Sequence, residues 1–395
     1  MHRSKERVVR AIDELASDIL GASRRIHAHP EPAFQERFAA ELLCGMLETH
    51  GLVPERGAFG LETSFRCDIG ESGPTVAILS EYDALPGLGH ACGHNLIAAM
   101  GLGAAIGLAR IDGFGGRVRY LGTPAEERGA GKAVMAARGA FAGVDAAMML
   151  HPAAADLEEM PSLAITAVTA VFRGRSSHAA VSPETGINAL DACVSGYQHI
   201  AQLRQHITPT EKIHGIITRG GTAPNVVPDH AEALYYVRAG SAIELDSLSL
   251  RVRACLEAGA LGAGATVELD WWEHPYLDLR NSSPLSRAYR HNAEALGREF
   301  LETAAIPVGV RGSTDMGNIS HIVPSIHPTI GIGAEVPPPH TAAFAECALS
   351  ATAEQAVLDG AKAMAMTTID FCARADLRAA VAEEFSSRPF ARDSG

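Results

Sequence analysis

Glu81-Tyr82-Asp83-Ala84-Leu85-Pro86-Gly87-Leu88-Gly89-His90-Ala91-Cys92-Gly93-His94-Asn95 is the stretch on which the chain turns. The apolar run Thr75-Val76-Ala77-Ile78-Leu79 precedes it and predicts a buried strand. Leu96-Ile97-Ala98-Ala99-Met100 follows and predicts the start of a buried helix. Between them stand a thiol, two imidazoles and two carboxylates, interrupted by glycines and a proline. In Cys92-Gly93-His94 a thiolate and an imidazole can approach one ion, because glycine lets the backbone turn and adds no side chain. Taken alone, such a triplet reads as a turn glycine beside a buried cysteine. The rest of the chain has to decide between the two.

Outward from this stretch, strands keep ending in potential ligands. Val118-Arg119-Tyr120-Leu121-Gly122 stops at Thr123-Pro124-Ala125-Glu126-Glu127, and Ala146-Ala147-Met148-Met149-Leu150 runs into His151-Pro152. Open α/β sheets place their sites at the carboxyl ends of strands, so Cys92, His94, Glu127 and His151 are expected to meet. Helices are predicted over Glu6 to Arg25, Phe34 to Leu47, Leu96 to Leu108 and Gly131 to Arg138. His27-Ala28-His29-Pro30-Glu31-Pro32, with its flanking prolines, reads as a loop near the active face.

The texture changes near Ile165. A strand at Thr166 to Phe172, a helix within Glu184 to His206, strands at Ile213 to Thr218 and Ala231 to Arg238, a helix at Leu245 to Ala258 and a strand at Ala265 to Trp272 spell a split βαβ sandwich. More α/β material follows, ending in a long helix from Ala351 to Phe371 and a tail frayed after about Glu384. The expected fold is therefore α/β: a mostly parallel central sheet flanked by helices, in residues 1–164 and 278–395, with a ferredoxin-like domain inserted at 165–277.

Composition bounds the function. The 395 residues carry a formal net charge of -13, which argues against a nucleic-acid partner. No apolar run is long enough to span a bilayer, and Met1 to Arg7 does not read as a secretion signal. Seven cysteines without a paired framework suit a reducing compartment, so a cytoplasmic location is expected.

A two-metal hydrolase needs a bridging anion, terminal imidazoles and carboxylates, and a base beside the shared water. Cys92 can bridge, His94, His151 and His340 can supply imidazoles, and Glu127 a carboxylate. Glu126 can then take the proton of the water and pass it to the leaving nitrogen. Neighbouring glutamates point about 100° apart on a helix and to opposite faces on a strand, so one can ligate while the other faces substrate. A solvated acidic pair is the plain alternative, but this one follows a strand and Pro124 and lies outside any charged run.

These residues, with Arg311-Gly312-Ser313-Thr314-Asp315-Met316-Gly317-Asn318, resemble the di-metal aminoacylase/carboxypeptidase family. The branch they most resemble holds p-aminobenzoyl-glutamate hydrolases, β-alanyl-lysine-type dipeptidases and auxin-conjugate amidohydrolases. The likeness runs from about Ser23 to His340. It implies Cys92, His94, Glu127, His151 and His340 as metal ligands, Glu126 as general base, and an inserted lid that also makes a homodimer. Where many relatives carry H-x-D, this chain has Glu81-Tyr82-Asp83, and Asp83 then fits a role in orienting a ligand. Asn95 departs from an aspartate of other cysteine-bearing relatives but fits the p-aminobenzoyl-glutamate hydrolase-like members. In the lid, Ser176-Ser177-His178-Ala179 and Ala223-Pro224-Asn225-Val226 match segments that reach substrate, with His178 and Asn225 supporting an oxyanion. Asp315 and Asn318 are expected to orient His340 or to shape the pocket. Arg219, Arg238 and Arg311 are candidate clamps for a substrate carboxylate.

The expected activity is metal-dependent hydrolysis of an amide bond in an N-acyl amino acid, an aryl-amide conjugate or a small dipeptide. Two divalent ions are implied; zinc suits the thiolate and imidazoles, and manganese is the rival. Deamination of an aminoaromatic compound at the same site is one alternative. A non-catalytic, metal-stabilised binding protein is another, against which the spare glutamate speaks. No G-x-S-x-G elbow supports a serine hydrolase.

Overall fold

The buried helix after the Cys92 stretch organises the larger of two compact units. The computed structural model describes residues 1–302 and 312–388. Met1–Pro161, residues 279–302 and residues 315–388 form the first unit, and Ser162–Asp278 with residues 312–314 form the second.

In the first unit six strands pair in the order Glu55–Arg56, Phe65–Ile69, Arg117–Gly122, Thr75–Ser80, Ala146–Met148, Ser325–Ile326. The last four run parallel to one another, and the first two pairings are antiparallel. Thr75–Ser80 is buried along its whole length, as its unbroken apolar run requires at the centre of a two-faced sheet. The helix His94–Ala109 packs on that sheet and is buried on every side from His94 to Leu108. Its Gly103 and Gly107 let other helices come close. A Cβ on Gly107 would lie 2.5 Å from Ile12, and one on Gly103 would lie 3.0 Å from Ile19 and 2.9 Å from Ala361.

The helix predicted over Glu6 to Arg25 is two helices, His2–Glu14 and Ala16–Ala28, which meet at Leu15 (φ −94°, ψ 1°). The break turns Val8 and Ile12 on one side, and Ile19 and Ile26 on the other, into the same core. A further correction concerns the tail. A helix spans Ala375–Ser387, Glu384 accepts the Ser283 N–H at 3.1 Å, and Arg388 donates to the carbonyls of Arg280 and Asn281.

A second sheet, mixed in direction, pairs Phe300–Leu301, Asp156–Leu157, Thr329–Gly331 and His151–Ala153. The chain passes from the central sheet into this one between Met148 and His151, and that crossing is what positions the His151 imidazole.

In the second unit the strands pair Thr266–Trp271, Ala164–Arg173, His230–Ala239, Lys212–Arg219, all antiparallel. Helices Ala189–Leu203 and Ala242–Gly262 follow the first and third strands in sequence, giving the βαββαβ order. Asn188 and Ser241 cap these helices through their side chains. Lys212–Arg219 is an edge strand, with Ile216 63% and Ile217 39% exposed. No helix among the described residues is long and apolar enough to cross a membrane.

Candidate metal centre

The site is built around Gly93. Its φ of +79° lies in the left-handed region, and a Cβ there would stand 2.6 Å from Pro152 Cγ and 3.3 Å from Phe344. Only glycine accepts both conditions, and the resulting turn puts the side chains of Cys92 and His94 on the same side. His94 opens the buried helix, so its imidazole is fixed by the helix start.

Asp83 sets the orientation of that imidazole. Nδ1–H of His94 donates to the Asp83 carbonyl at 2.9 Å and to its Oδ1 at 3.0 Å, which leaves Nε2 as a bare lone pair. The other Asp83 oxygen accepts the Glu127 N–H at 2.9 Å, so one carboxylate aligns two neighbouring side chains. His151 is oriented similarly: Nδ1–H donates to the Pro152 carbonyl at 2.9 Å, and Nε2 faces Cys92 Sγ at 3.6 Å. His340 (φ 64°) donates its backbone N–H to Ala91 at 2.8 Å, and its Nε2 lies 3.6 Å from Glu127 Oε2.

Two three-donor sets result, Cys92 with His94 and His151, and Cys92 with Glu127 and His340. Within each set the donor atoms fall within 4.8 Å of one another, and the sets share the Cys92 thiol. His94 Nε2 is also 3.9 Å from a Glu126 oxygen and 4.0 Å from Glu127 Oε1. Glu126 and Glu127 belong to neither helix nor strand; they sit in a turn entered through Ala125 (φ 62°). Ala125 is held by its N–H to Glu36 Oε1 at 2.9 Å, and Glu36 also accepts from Phe34 and Thr63.

The donor set fits divalent cations. His94 Nε2 and Glu127 Oε1 are buried without a hydrogen-bond partner, the condition a bound cation would satisfy. Burial pushes the Cys92 thiol up to about 12, so a cation beside it is what would make it a thiolate. Burial pulls His151 down to about 4, which keeps it neutral and able to ligate. Burial also opposes charge on His94, but Asp83 overcomes it and holds that imidazole above its usual range. Glu126 is pushed well above the usual carboxylate range, by burial first and by the charge of Glu81 next.

Other expectations find different places. Asp315 gives both oxygens to Lys132, accepting from its backbone N–H at 2.9 Å and its ammonium at 2.7 Å. His178 and Asn225 lie side by side on the second unit, both exposed, with the Ala179 N–H on the Asn225 carbonyl at 3.0 Å. The Ala180 N–H donates to His178 Nδ1 at 3.2 Å, so the imidazole proton sits on Nε2. Arg238 donates to Ser313 Oγ at 3.0 Å, and Arg311 lies outside the described residues. In the loop after His29, Glu31 caps the helix Arg37–Thr49 through the N–H groups of Phe38 and Ala39. Sequence reasoning missed Lys132, Glu36 and His327. His327 is fully buried, donates Nδ1–H to the Met149 carbonyl at 3.1 Å, and meets His151 edge-on with ring centres 5.7 Å apart. Its one signal is a histidine and a proline at the end of an apolar segment, the same pattern as at His151.

Two donor sets joined by one thiol, beside a further buried carboxylate at the ends of parallel strands, are the arrangement of a metallohydrolase. A profile of peptidase family M20/M25/M40 matches residues 77–369, and the chain belongs to that family. It is similar to a Xaa-Arg dipeptidase of Mus musculus, 40% identical over 399 residues that cover 97% of this chain and 92% of that protein. It is also similar to a p-aminobenzoyl-glutamate hydrolase of Escherichia coli (strain K12), 31% identical over 88% of this chain and 87% of that one. Among solved structures, a dinuclear metal binding peptidase of Bacillus subtilis shares the fold, with a TM-score of 0.70 and 24% identity over 90% of this chain and 98% of that one. The chain is a hydrolase acting on C–N bonds.

Proposed function

We propose that the chain hydrolyses the amide bond of a small substrate, first of all a dipeptide with a basic C-terminal residue, with Glu126 as general base. The observation that carries this is the position of Glu126. It is a buried carboxylate outside both donor sets, 3.9 Å from the bare nitrogen of His94 and next in sequence to Glu127. Two divalent ions, zinc by donor type with manganese as rival, would be held by Cys92, His94 and His151 and by Cys92, Glu127 and His340; when bound they supply Lewis-acid polarisation and a more acidic water. Glu126 takes a proton from the attacking water as the C–O bond forms, and delivers it to the nitrogen as the C–N bond breaks. Its raised proton affinity suits both halves of that transfer.

For the second unit we propose the part that the family resemblance implies. His178, with its proton on Nε2, and Asn225 donate to the oxyanion, and closure over the substrate excludes water. The exposed edge strand Lys212–Arg219, with Ile216 and Ile217, supports a homodimer formed through this unit. The substrate class follows the Xaa-Arg dipeptidase relative, and a net charge of -13 suits a cationic substrate. N-acyl amino acids and aryl-glutamate conjugates are the next candidates, and deamination of an aminoaromatic compound is the rival reaction. A cytoplasmic location is proposed from the seven cysteines, all free.

The test is elemental analysis of the purified protein, then hydrolysis of Xaa-Arg and Xaa-Lys dipeptides, N-acyl amino acids and p-aminobenzoyl-glutamate, with and without chelator. The expected result is amide cleavage that chelator abolishes and Glu126→Gln removes. Ammonia release from aminoaromatic compounds without amide cleavage would replace this reading with the deamination one.

A further inference from the structure

Behind the donor sets the first unit holds a second buried polar group that the proposed proton transfer leaves without a role. Lys132, in the helix Gly131–Ala137, is fully buried, and its ammonium bonds both Glu81 and Asp315. One oxygen from each of Glu81, Glu126 and Asp315 falls within 4.8 Å of the others. These acids arrive from three segments: the end of the Thr75–Ser80 strand, the turn after Arg117–Gly122, and the start of the helix Met316–Ser320. The other side of Glu81 lies 3.5 Å from His94 Nε2.

Three carboxylates so close in a buried place repel one another unless a cation stands among them. The cluster has the shape of a further cation site, and the Lys132 ammonium already fills it. Were packing the only need, an apolar side chain of similar length would fill this position at less cost in desolvation.

We infer that Lys132 is a positioning residue for the hydrolysis: by holding Glu81 and Asp315 it keeps the Glu126 carboxylate turned to the substrate side. It touches neither substrate nor reacting atoms and acts through Glu126. The inference rests on the reading of Glu126 as general base.

The test is steady-state kinetics on a cleaved dipeptide, with bound metal measured by mass spectrometry, for wild type, Lys132→Met, Lys132→Met/Asp315→Asn and Glu126→Gln. Lys132→Met is expected to lower kcat at least about tenfold, with metal content kept and KM changed by less than about threefold. The double variant removes one cation and one acid together, and the amide oxygen that replaces the Asp315 carboxylate can still accept the N–H of residue 132. It is expected to recover part of the lost kcat, which a purely packing role would not allow. Wild-type kcat in Lys132→Met, or equal losses in the single and double variants, would overturn the inference. If Lys132→Met does not fold, Lys132→Gln, which keeps a donor in the same space, is read by the same kcat and KM criteria. Full activity of Glu126→Gln would instead remove the reading of the general base. An inactive Glu126→Gln beside an unimpaired Lys132→Met would remove the inference about Lys132 alone.

Discussion

Gly93→Ala is the smallest change that should undo the donor arrangement. Alanine at φ +79° costs about 1–2 kcal/mol from the backbone alone. The added methyl would then meet Pro152 Cγ at 2.6 Å, while carbon pairs rest at about 3.5–4.0 Å, so about 1 Å must be found. Pro152 has little freedom to give it. Its ring is rigid, and the strand His151–Ala153 is paired with Thr329–Gly331. Overpacking of this kind costs about 1–3 kcal/mol, for a total of about 2–5 kcal/mol. The displacement falls on the neighbour of His151, whose Nε2 is 3.6 Å from Cys92 Sγ, so a shift of that size separates the first donor set. Purified Gly93→Ala should melt several degrees lower, bind fewer ions by elemental analysis and lose at least about a hundredfold in kcat/KM. A variant with wild-type melting temperature, metal content and kcat/KM would refute the view that this glycine is what lets Cys92 and His94 share an ion.

Asp83→Asn keeps one acceptor where two donors call for a carboxylate, so metal affinity or activity should fall about 10–100-fold, read by competition with a chelating dye. Glu36 is raised to about 7 by burial, so the folded chain holds its proton more tightly than the unfolded chain, whose value is 4.5. Its contribution is full below that unfolded value and is lost as pH climbs through about 7, a span worth about 3 kcal/mol. Glu36→Gln can keep all three hydrogen bonds of the neutral acid. Compared with wild type by denaturant melts, it should gain stability as pH rises from about 5 to about 8, with activity kept. Ile216→Lys places a charge on the exposed edge strand and should convert the proposed dimer to monomer in analytical ultracentrifugation.

How far the sequence could be read depended on whether a residue's neighbours in space were also its neighbours in the chain. The Thr75–Ser80 strand and the helix His94–Ala109 are unbroken apolar runs, and Cys92-Gly93-His94 joins them, so strand, turn and helix were visible together. The βαββαβ order of the second unit was visible for the same reason, because each element carries its own periodicity. Lys132 was not visible, since a lysine among small residues in a short helix reads as solvated. Only the fold brings Glu81 and Asp315, 51 and 183 positions away, to its ammonium. Glu36 was hidden likewise, its contact with Ala125 spanning 89 positions. The break at Leu15 carries neither proline nor glycine, and the last helix, Ala375–Ser387, was obscured by its polar composition.

Anomalous diffraction from crystals grown with zinc would bear on the central claim most directly. The account predicts two peaks in the first unit, each about 2.3 Å from the same sulfur, that of Cys92, with His340 on one side and His151 on the other. A lone peak, or a pair of which either lies away from Cys92, would contradict it.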